Sequence, residues 1–327
     1  MSYISRLQAG LREALNDPDT YFLGEDIQEP YGGAFKVSKG LSHDYPNQVI
    51  ATPMSEQGFT GMGIGMALGG LKVIVEIMFG DFITLCADQL INHASKFVGL
   101  YDKHLHFVLR TPMGGYRGYG ATHSQSIEKL FMGYPDLSIV APSILNDPGN
   151  LLKQAINSGN PIVFIENKLD YTRYMMEETE AAKDLNISYS KSEFPCASVE
   201  IAEEPTSNYL IMTYGGLAAD LINLQISLYM DEEISVHLVS PSLVYPIDQS
   251  LVDKALPYKN IIIVEEGYSG ANWSSEVAKE LLLRGYSGCL KTYSAKLSTI
   301  GASEPLESAT LPCMEDIKEY ILELENG

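Results

Sequence analysis

Residues 4–15 place Ile4, Leu7, Leu11, Ala14 and Leu15 at helical spacing, and the apolar run at 21–23, closed by Gly24, reads as a short strand. From there the pattern alternates. Short apolar runs of buried-strand length occur at 73–78, 105–109, 137–141, 161–165, 209–213, 234–239 and 260–264. Helix-length segments at 81–98, 146–158, 217–230 and 271–284 lie between most of them. Strands alternating with helices in this way are the signature of strand-helix-strand units built around parallel sheets covered on both faces, so the expected fold class is α/β.

The periodicity dissolves once, at 177–205, where eight Asp/Glu face two Lys, and this stretch is expected to be a solvated acidic connector. It divides the chain into 1–176 and 206–327, each long enough for its own sheet. The formal charge of −20, from 22 Lys+Arg against 42 Asp+Glu, argues against a nucleic-acid footprint or an anionic membrane surface, so any electrostatic partner should be basic. Cys86, Cys196, Cys289 and Cys313 lack C-x-x-C spacing, which points away from a disulfide scaffold or zinc cluster and toward a reducing compartment. With no apolar run of membrane-spanning length and an amphipathic start, the expectation is a soluble, cytoplasmic protein.

Two segments carry candidate chemistry. Residues 52–70 read TPMSEQGFTGMGIGMALGG, an N-capping Ser55 followed by a helix that tolerates glycines although each costs roughly 1 kcal/mol relative to Ala. Gly61, Gly65 and Gly69 recur every four residues and share one face, where another backbone or a ligand can approach. Taken alone they fit a tight helix–helix contact, and Glu56 in the first turn fits a carboxylate favoured by the helix dipole. The second segment, TPMGGYRGYGATHSQS at 111–126, is a glycine-rich loop after a predicted strand, the place where α/β proteins put their ligands, and it carries Arg117 and His123.

Together the blocks YFLGEDIQEPYGGAFKVSKGL (21–41), TPMSEQGFTGMGIGMALGG (52–70), EIMFGDFITLCADQLINHASKF (76–97) and THSQSIEKLF (122–131) resemble the beta subunit of the thiamine diphosphate-dependent, decarboxylating component of 2-oxoacid dehydrogenase complexes. The likeness continues through NPIVFIENKLDY (160–171) and, more weakly, LPCMEDIKEYI (311–321). It implies two three-layer αβα domains with mainly parallel sheets: a transketolase pyrimidine-binding domain at 1–176 and a transketolase C-terminal-like domain at 206–327. By the same resemblance Glu56 faces the N1′ atom of the cofactor's aminopyrimidine, favouring the imino tautomer whose 4′ nitrogen takes the proton from C2. Phe82 stacks on the pyrimidine. His123 faces the reactive carbon and assists proton transfer or acyl hand-over to a lipoyl group. Tyr116, Arg117 and Tyr119 lie close enough in sequence to line the same mouth and anchor a carboxylate-bearing substrate.

The superfamily's G-D-G motif, which holds the diphosphate through Mg²⁺, does not occur in this sequence; Gly80-Asp81-Phe82 is the stacking block instead. No metal ligands are therefore assigned to this chain. The resemblance places Mg²⁺ and the diphosphate on an alpha subunit, in an α2β2 assembly with the cofactor across the subunit contact, and gives the glycine face a role there. A lipoyl acyltransferase is an expected further partner through the C-terminal domain. Three departures bear on this: Ala51 stands where the family carries Asp, Ser158 and Gly159 precede Asn160 where some members hold a monovalent cation, and SGANWSSE occupies 269–276. Two other readings stay open: GATH at 120–123 also resembles transketolases, suggesting half of a split transferase that works without lipoate, and a non-catalytic assembly subunit would keep the fold alone.

Overall fold

The computed structural model describes residues 1–204 and 206–326. The strands are β1 (Thr20–Gly24), β2 (Val49–Ala51), β3 (Lys72–Glu76), β4 (Phe107–Met113), β5 (Ser138–Val140), β6 (Ile162–Asn167), β7 (Leu185–Tyr189), β8 (Cys196–Ile201), β9 (Tyr209–Met212), β10 (Val236–Pro241), β11 (Leu243–Tyr245), β12 (Asn260–Tyr268) and β13 (Cys289–Ala295). They form a seven-stranded sheet, β11-β5-β6-β4-β3-β1-β2, and a six-stranded one, β13-β12-β9-β10-β8-β7. In the first, only the β11–β5 pairing is antiparallel. In the second, β13, β12, β9 and β10 run parallel while β8 and β7 are added antiparallel. Two mainly parallel sheets with flanking helices make the chain α/β.

The pleat explains why these strands read as continuous apolar runs. Phe22, Ile74, Val108, Val140 and Phe164 point to one face of the first sheet, under the helices Tyr3–Leu15 and Pro148–Asn157. Their neighbours Leu23, Val73, Val75, Leu109, Ile139 and Val163 point to the other, under the helix Glu56–Leu68. With both faces covered, neither parity of side chain can be polar. The same cluster also takes in Leu210, Met212, Val239, Ile261 and Ile263 from one face of the second sheet, so the two sheets share an apolar core.

Two expectations need correction. The stretch 177–205 is a connector only in part: β7 and β8 fall inside it and complete the edge of the second sheet. Leu185, Val199 and Ile201 are buried there, and the surrounding acids hide a strand alternation with few apolar members. The segment 81–98 is not one regular helix but a 3₁₀ turn (Gly80–Cys86), a π-helical turn (Gln89–Ala94) and an α-helix (Ser95–Tyr101). Such irregular turns often mark functional sites. The short β2 and β11 and the exposed edge strand β13 leave no sequence signal, having too few buried positions to set a period.

A buried ion network crosses three adjacent strands of the first sheet. Arg110 on β4, 1% exposed, donates from Nε to Glu166 Oε1 on β6 at 2.7 Å, from Nη2 to Glu166 Oε2, and from Nη1 to Glu76 Oε2 on β3. The Tyr171 hydroxyl donates to Glu166 Oε2 at 2.5 Å and accepts from Arg110 Nη2 at 3.3 Å. Burial pushes the Glu76 carboxyl upward from its ordinary range, and the charge of Arg110 works against that shift. Removing the one cation strands two carboxylates in the core. Arg110→Met is therefore expected to destabilise the fold by about 3–5 kcal/mol, read as the shift in a urea-unfolding midpoint; a loss under about 1 kcal/mol would show that the network is dispensable.

Candidate active site

Parallel, in-register pairing decides where the chemistry gathers. Gly24 of β1 pairs with both Ala51 of β2 and Glu76 of β3, Glu76 with Arg110 of β4, and Met113 of β4 with Asn167 of β6. Five neighbouring strands thus end along one edge, and their following loops deliver Glu25, Glu56, the 79–82 turn, the 114–126 loop and Lys168 to that edge. Ligands in open α/β sheets bind outside these carboxyl ends.

Glu56 begins the helix Glu56–Leu68, half-buried, and engages in no hydrogen bond or ion pair among the described residues. Ser55 stands at the N-cap, but its side chain makes no capping bond, contrary to expectation. One turn on, the Thr60 hydroxyl donates to Cys86 Sγ at 3.2 Å, tying this helix to the turn that carries Phe82. Glu25 lies close to Glu56: burial first, then the charges of Glu56 and Asp26, raise the Glu25 carboxyl. Phe82 is half-buried and meets the His123 ring edge-on, 5.3 Å between centroids. A free carboxylate at a helix start and, on the same sheet edge, a half-exposed aromatic against a histidine offer what an aminopyrimidine needs: an acceptor at a ring nitrogen and a flat apolar contact.

The glycine face can now be divided. A side chain at Gly63 would strike Val75 Cγ2 at 2.9 Å, so this glycine lets the helix settle onto the sheet. Gly61 and Gly65 are exposed; a Cβ at Gly61 would meet Gln89 Cγ at 3.7 Å and one at Gly65 nothing within 4 Å, so among the described residues no helix covers Gly65. Met54, Met62 and Leu85 are exposed around it, Met54 at 79%.

The three loop residues grouped by sequence separate in space. Tyr116, with φ of 62°, turns its ring into the second core and donates its hydroxyl to Pro312 O at 2.7 Å, so it leaves the mouth. Arg117 donates from Nη1 to Lys168 O at 2.9 Å and lies 5.4 Å over the exposed ring of Tyr119.

Three further residues hold His123 or its loop. Phe79 packs edge-on against its ring at 4.7 Å, nearer than Phe82. Lys168, fully buried, donates from Nζ to His123 O. Asp81 Oδ1 accepts from Gln125 Nε2 at 2.7 Å. Phe79 and Asp81 sit in the same F-G-D-F block as Phe82; Lys168 has no local signal, because its role depends on β6 ending beside β4. Burial lowers the Lys168 ammonium to about 8, against the pull of Asp81, Glu266 and Glu307.

The C-terminal half locks the same loop. Gly115 N–H donates to Glu266 Oε2 at 2.9 Å and Gly118 N–H to Glu307 Oε2 at 2.8 Å, while Asn167 Nδ2 donates to Glu266 Oε1 at 2.6 Å. Burial pushes the carboxyls of Glu265 and Glu266 up to about 7, opposed at Glu265 by Ser274 and at Glu266 by Gly115 and Asn167. No three His, Cys, Asp or Glu side chains come together as a metal site among the described residues.

Residues 7–173 match the family described as "Transketolase, pyrimidine binding domain". The chain is 31% identical to the pyruvate dehydrogenase E1 component subunit beta-1, mitochondrial, of Arabidopsis thaliana, covering 94% of this chain and 86% of that protein. It is 31% identical to the 2-oxoisovalerate dehydrogenase subunit beta of Bacillus subtilis (strain 168), covering 85% and 83%. A solved structure described as "Split gene transketolase, inactive beta4 tetramer" superposes with a TM-score of 0.71 at 16% identity over 98% of this chain and 96% of that one, a likeness of fold. The chain belongs to the transketolase pyrimidine-binding family, in the group of 2-oxoacid dehydrogenase E1 beta subunits.

Two outcomes follow. Lys168→Met should lower turnover about 10- to 100-fold by letting His123 drift, and raise hydrogen exchange locally at 120–126; unchanged exchange there would remove Lys168 from the support of His123. Glu265 and Glu266 have folded values above their unfolded ones, so the native state holds extra protons between about 4.5 and about 7. Their contribution is full below about 4.5 and fades as pH rises through about 7, with a slope approaching about 1.4 kcal/mol per pH unit for each group. Unfolding measured from about pH 5 to about pH 8 should show this loss, and Glu266→Gln should flatten it.

Proposed function

We propose that this chain is the beta subunit of a heteromeric, thiamine diphosphate-dependent enzyme that decarboxylates a 2-oxoacid and passes the acyl unit to a lipoyl acceptor. The observation that carries the reading is an unpartnered Glu56 at the start of its helix on the same carboxyl edge of the first sheet where Phe82 meets His123, in a chain of the E1 beta group. Bound thiamine diphosphate supplies a carbon nucleophile for the 2-oxo group and a sink for the electrons released with CO₂. Glu56 would hold the ring nitrogen N1′ and its proton. Phe82 would lie against the pyrimidine face, an aromatic contact worth about 0.5–1.5 kcal/mol beyond burial. His123, fixed at its carbonyl by Lys168 and at its ring by Phe79, would donate or accept a proton beside the substrate oxygen.

The alpha subunit in this reading carries Mg²⁺ and the diphosphate, in an α2β2 assembly active only when both chains are present. Support comes from the lack of a G-D-G motif in the sequence and from the bare Gly61–Gly65 face with Met54, Met62 and Leu85 around it. A lipoyl acyltransferase with a basic docking module would suit the acidic surface of a chain with net charge −20. No helix among the described residues is long and apolar enough to cross a membrane, and four free cysteines suit the reducing cytoplasm.

The chain co-purified with a G-D-G-bearing alpha chain should decarboxylate a 2-oxoacid with reduction of an artificial acceptor only when thiamine diphosphate and Mg²⁺ are added. Glu56→Gln should reduce that rate by about 10²- to 10⁴-fold or more. Near-wild-type activity of Glu56→Gln would overturn the assignment of that carboxylate. Two-carbon transfer between sugars without lipoate would instead identify a split transferase, and no turnover in the assembled complex a structural subunit.

A further inference from the structure

In a chain where acids outnumber bases 42 to 22, almost any guanidinium should find a carboxylate. Five of the six arginines do: Arg6 with Asp147 and Glu177, Arg12 with Asp44, Arg110 with Glu76 and Glu166, Arg173 with Asp170 and Asp220, and Arg284 with Asp253. Arg117 alone has no ion-pair partner among the described residues, although it is half-buried. The acids that grip this loop are otherwise engaged, since Glu266 and Glu307 accept from the N–H groups of Gly115 and Gly118.

The unpaired cation is nonetheless held still. Its Nη1 donates to Lys168 O, its Cζ lies 5.4 Å over the Tyr119 ring, and the loop on either side is tied to Glu266, Glu307 and Pro312. A guanidinium fixed through one nitrogen keeps its other N–H groups for a forked contact with a carboxylate or phosphate. It also stands at the reaction centre's rim: Tyr119 lies 6.2 Å from Phe79, which lies 4.7 Å from His123.

The anion it waits for is not the carboxylate that leaves. In a decarboxylation the bond between C1 and C2 breaks, its electron pair stays with C2, and C1 departs as neutral CO₂. A cation gripping that carboxylate would stabilise the reactant more than the transition state and slow the step. The useful target is an anionic group that survives the reaction. We infer that Arg117, backed by Tyr119, forms a subsite for a second anionic group, carboxylate or phosphate, at the far end of the 2-oxoacid substrate. This rests on the decarboxylase reading of the site and narrows its substrate to acids bearing two negative groups.

The test uses the complex assembled with its alpha chain. kcat/KM is compared for 2-oxoglutarate and 2-oxoadipate against 2-oxobutanoate and 2-oxohexanoate, in wild type, Arg117→Gln and Arg117→Lys. Binding of glutarate and of inorganic phosphate, which cannot be decarboxylated, is followed by calorimetry. The wild type should favour the diacids, and Arg117→Gln should cut the diacid-to-monoacid ratio by about 10- to 100-fold, chiefly through KM, with Arg117→Lys between. The tighter of glutarate and phosphate then names the group. A ratio that Arg117→Gln leaves unmoved overturns the subsite; so does dissociation of the alpha chain from that variant, which would make a carboxylate of the partner subunit the missing counterion. Glutarate or phosphate binding that depends on Arg117 in a complex that decarboxylates nothing would keep the subsite and remove the decarboxylase reading.

Discussion

The structure depends on the parallel register of β6, β4, β3, β1 and β2, and on the buried pairing of Arg110 with Glu76 and Glu166 across the first three of them. Because the strands run the same way and end level, five loops from distant parts of the chain arrive at one edge. The ion network lies near that edge, where a desolvated fork of hydrogen bonds fixes the geometry of strand against strand. That edge brings the loops carrying Glu56, Phe82 and His123 to one side of the sheet, where the rings of Phe82 and His123 touch.

The second half of the chain is part of the site's support. Glu266 and Glu307 hold the N–H groups of the 114–120 loop, and β11 joins the first sheet. Carboxylates buried at the seam, with values raised by lost solvation, give this part of the fold a pH dependence. The outward side of the Glu56–Leu68 helix, by contrast, is bare, with glycines where a second backbone can approach. One molecule thus has a rigid inner wall for the site and an open outer one.

Much of this is legible in the chain alone. The helical spacing of 4–15 and the seven apolar runs become a helix and strands because each has enough buried positions to set a period. Glu56, Phe82 and His123 are readable because each sits in a dense local block whose residue types are unusual together. Tyr116 departs from its expected place, since adjacency in sequence says nothing about where a ring turns at a left-handed φ, and β7 and β8 are hidden by acids on their exposed positions.

The sequence by itself determined the α/β class, the family resemblance and the candidate residues for chemistry, because those depend on local periodicity and on short-range composition. The tertiary structure alone decided that Lys168 grips the His123 loop, that Phe79 is the nearer aromatic, and that Arg117 has no counterion among the described residues. These are contacts between segments far apart along the chain, fixed by strand register and by the docking of the two sheets, and no pattern within a window of the sequence encodes them.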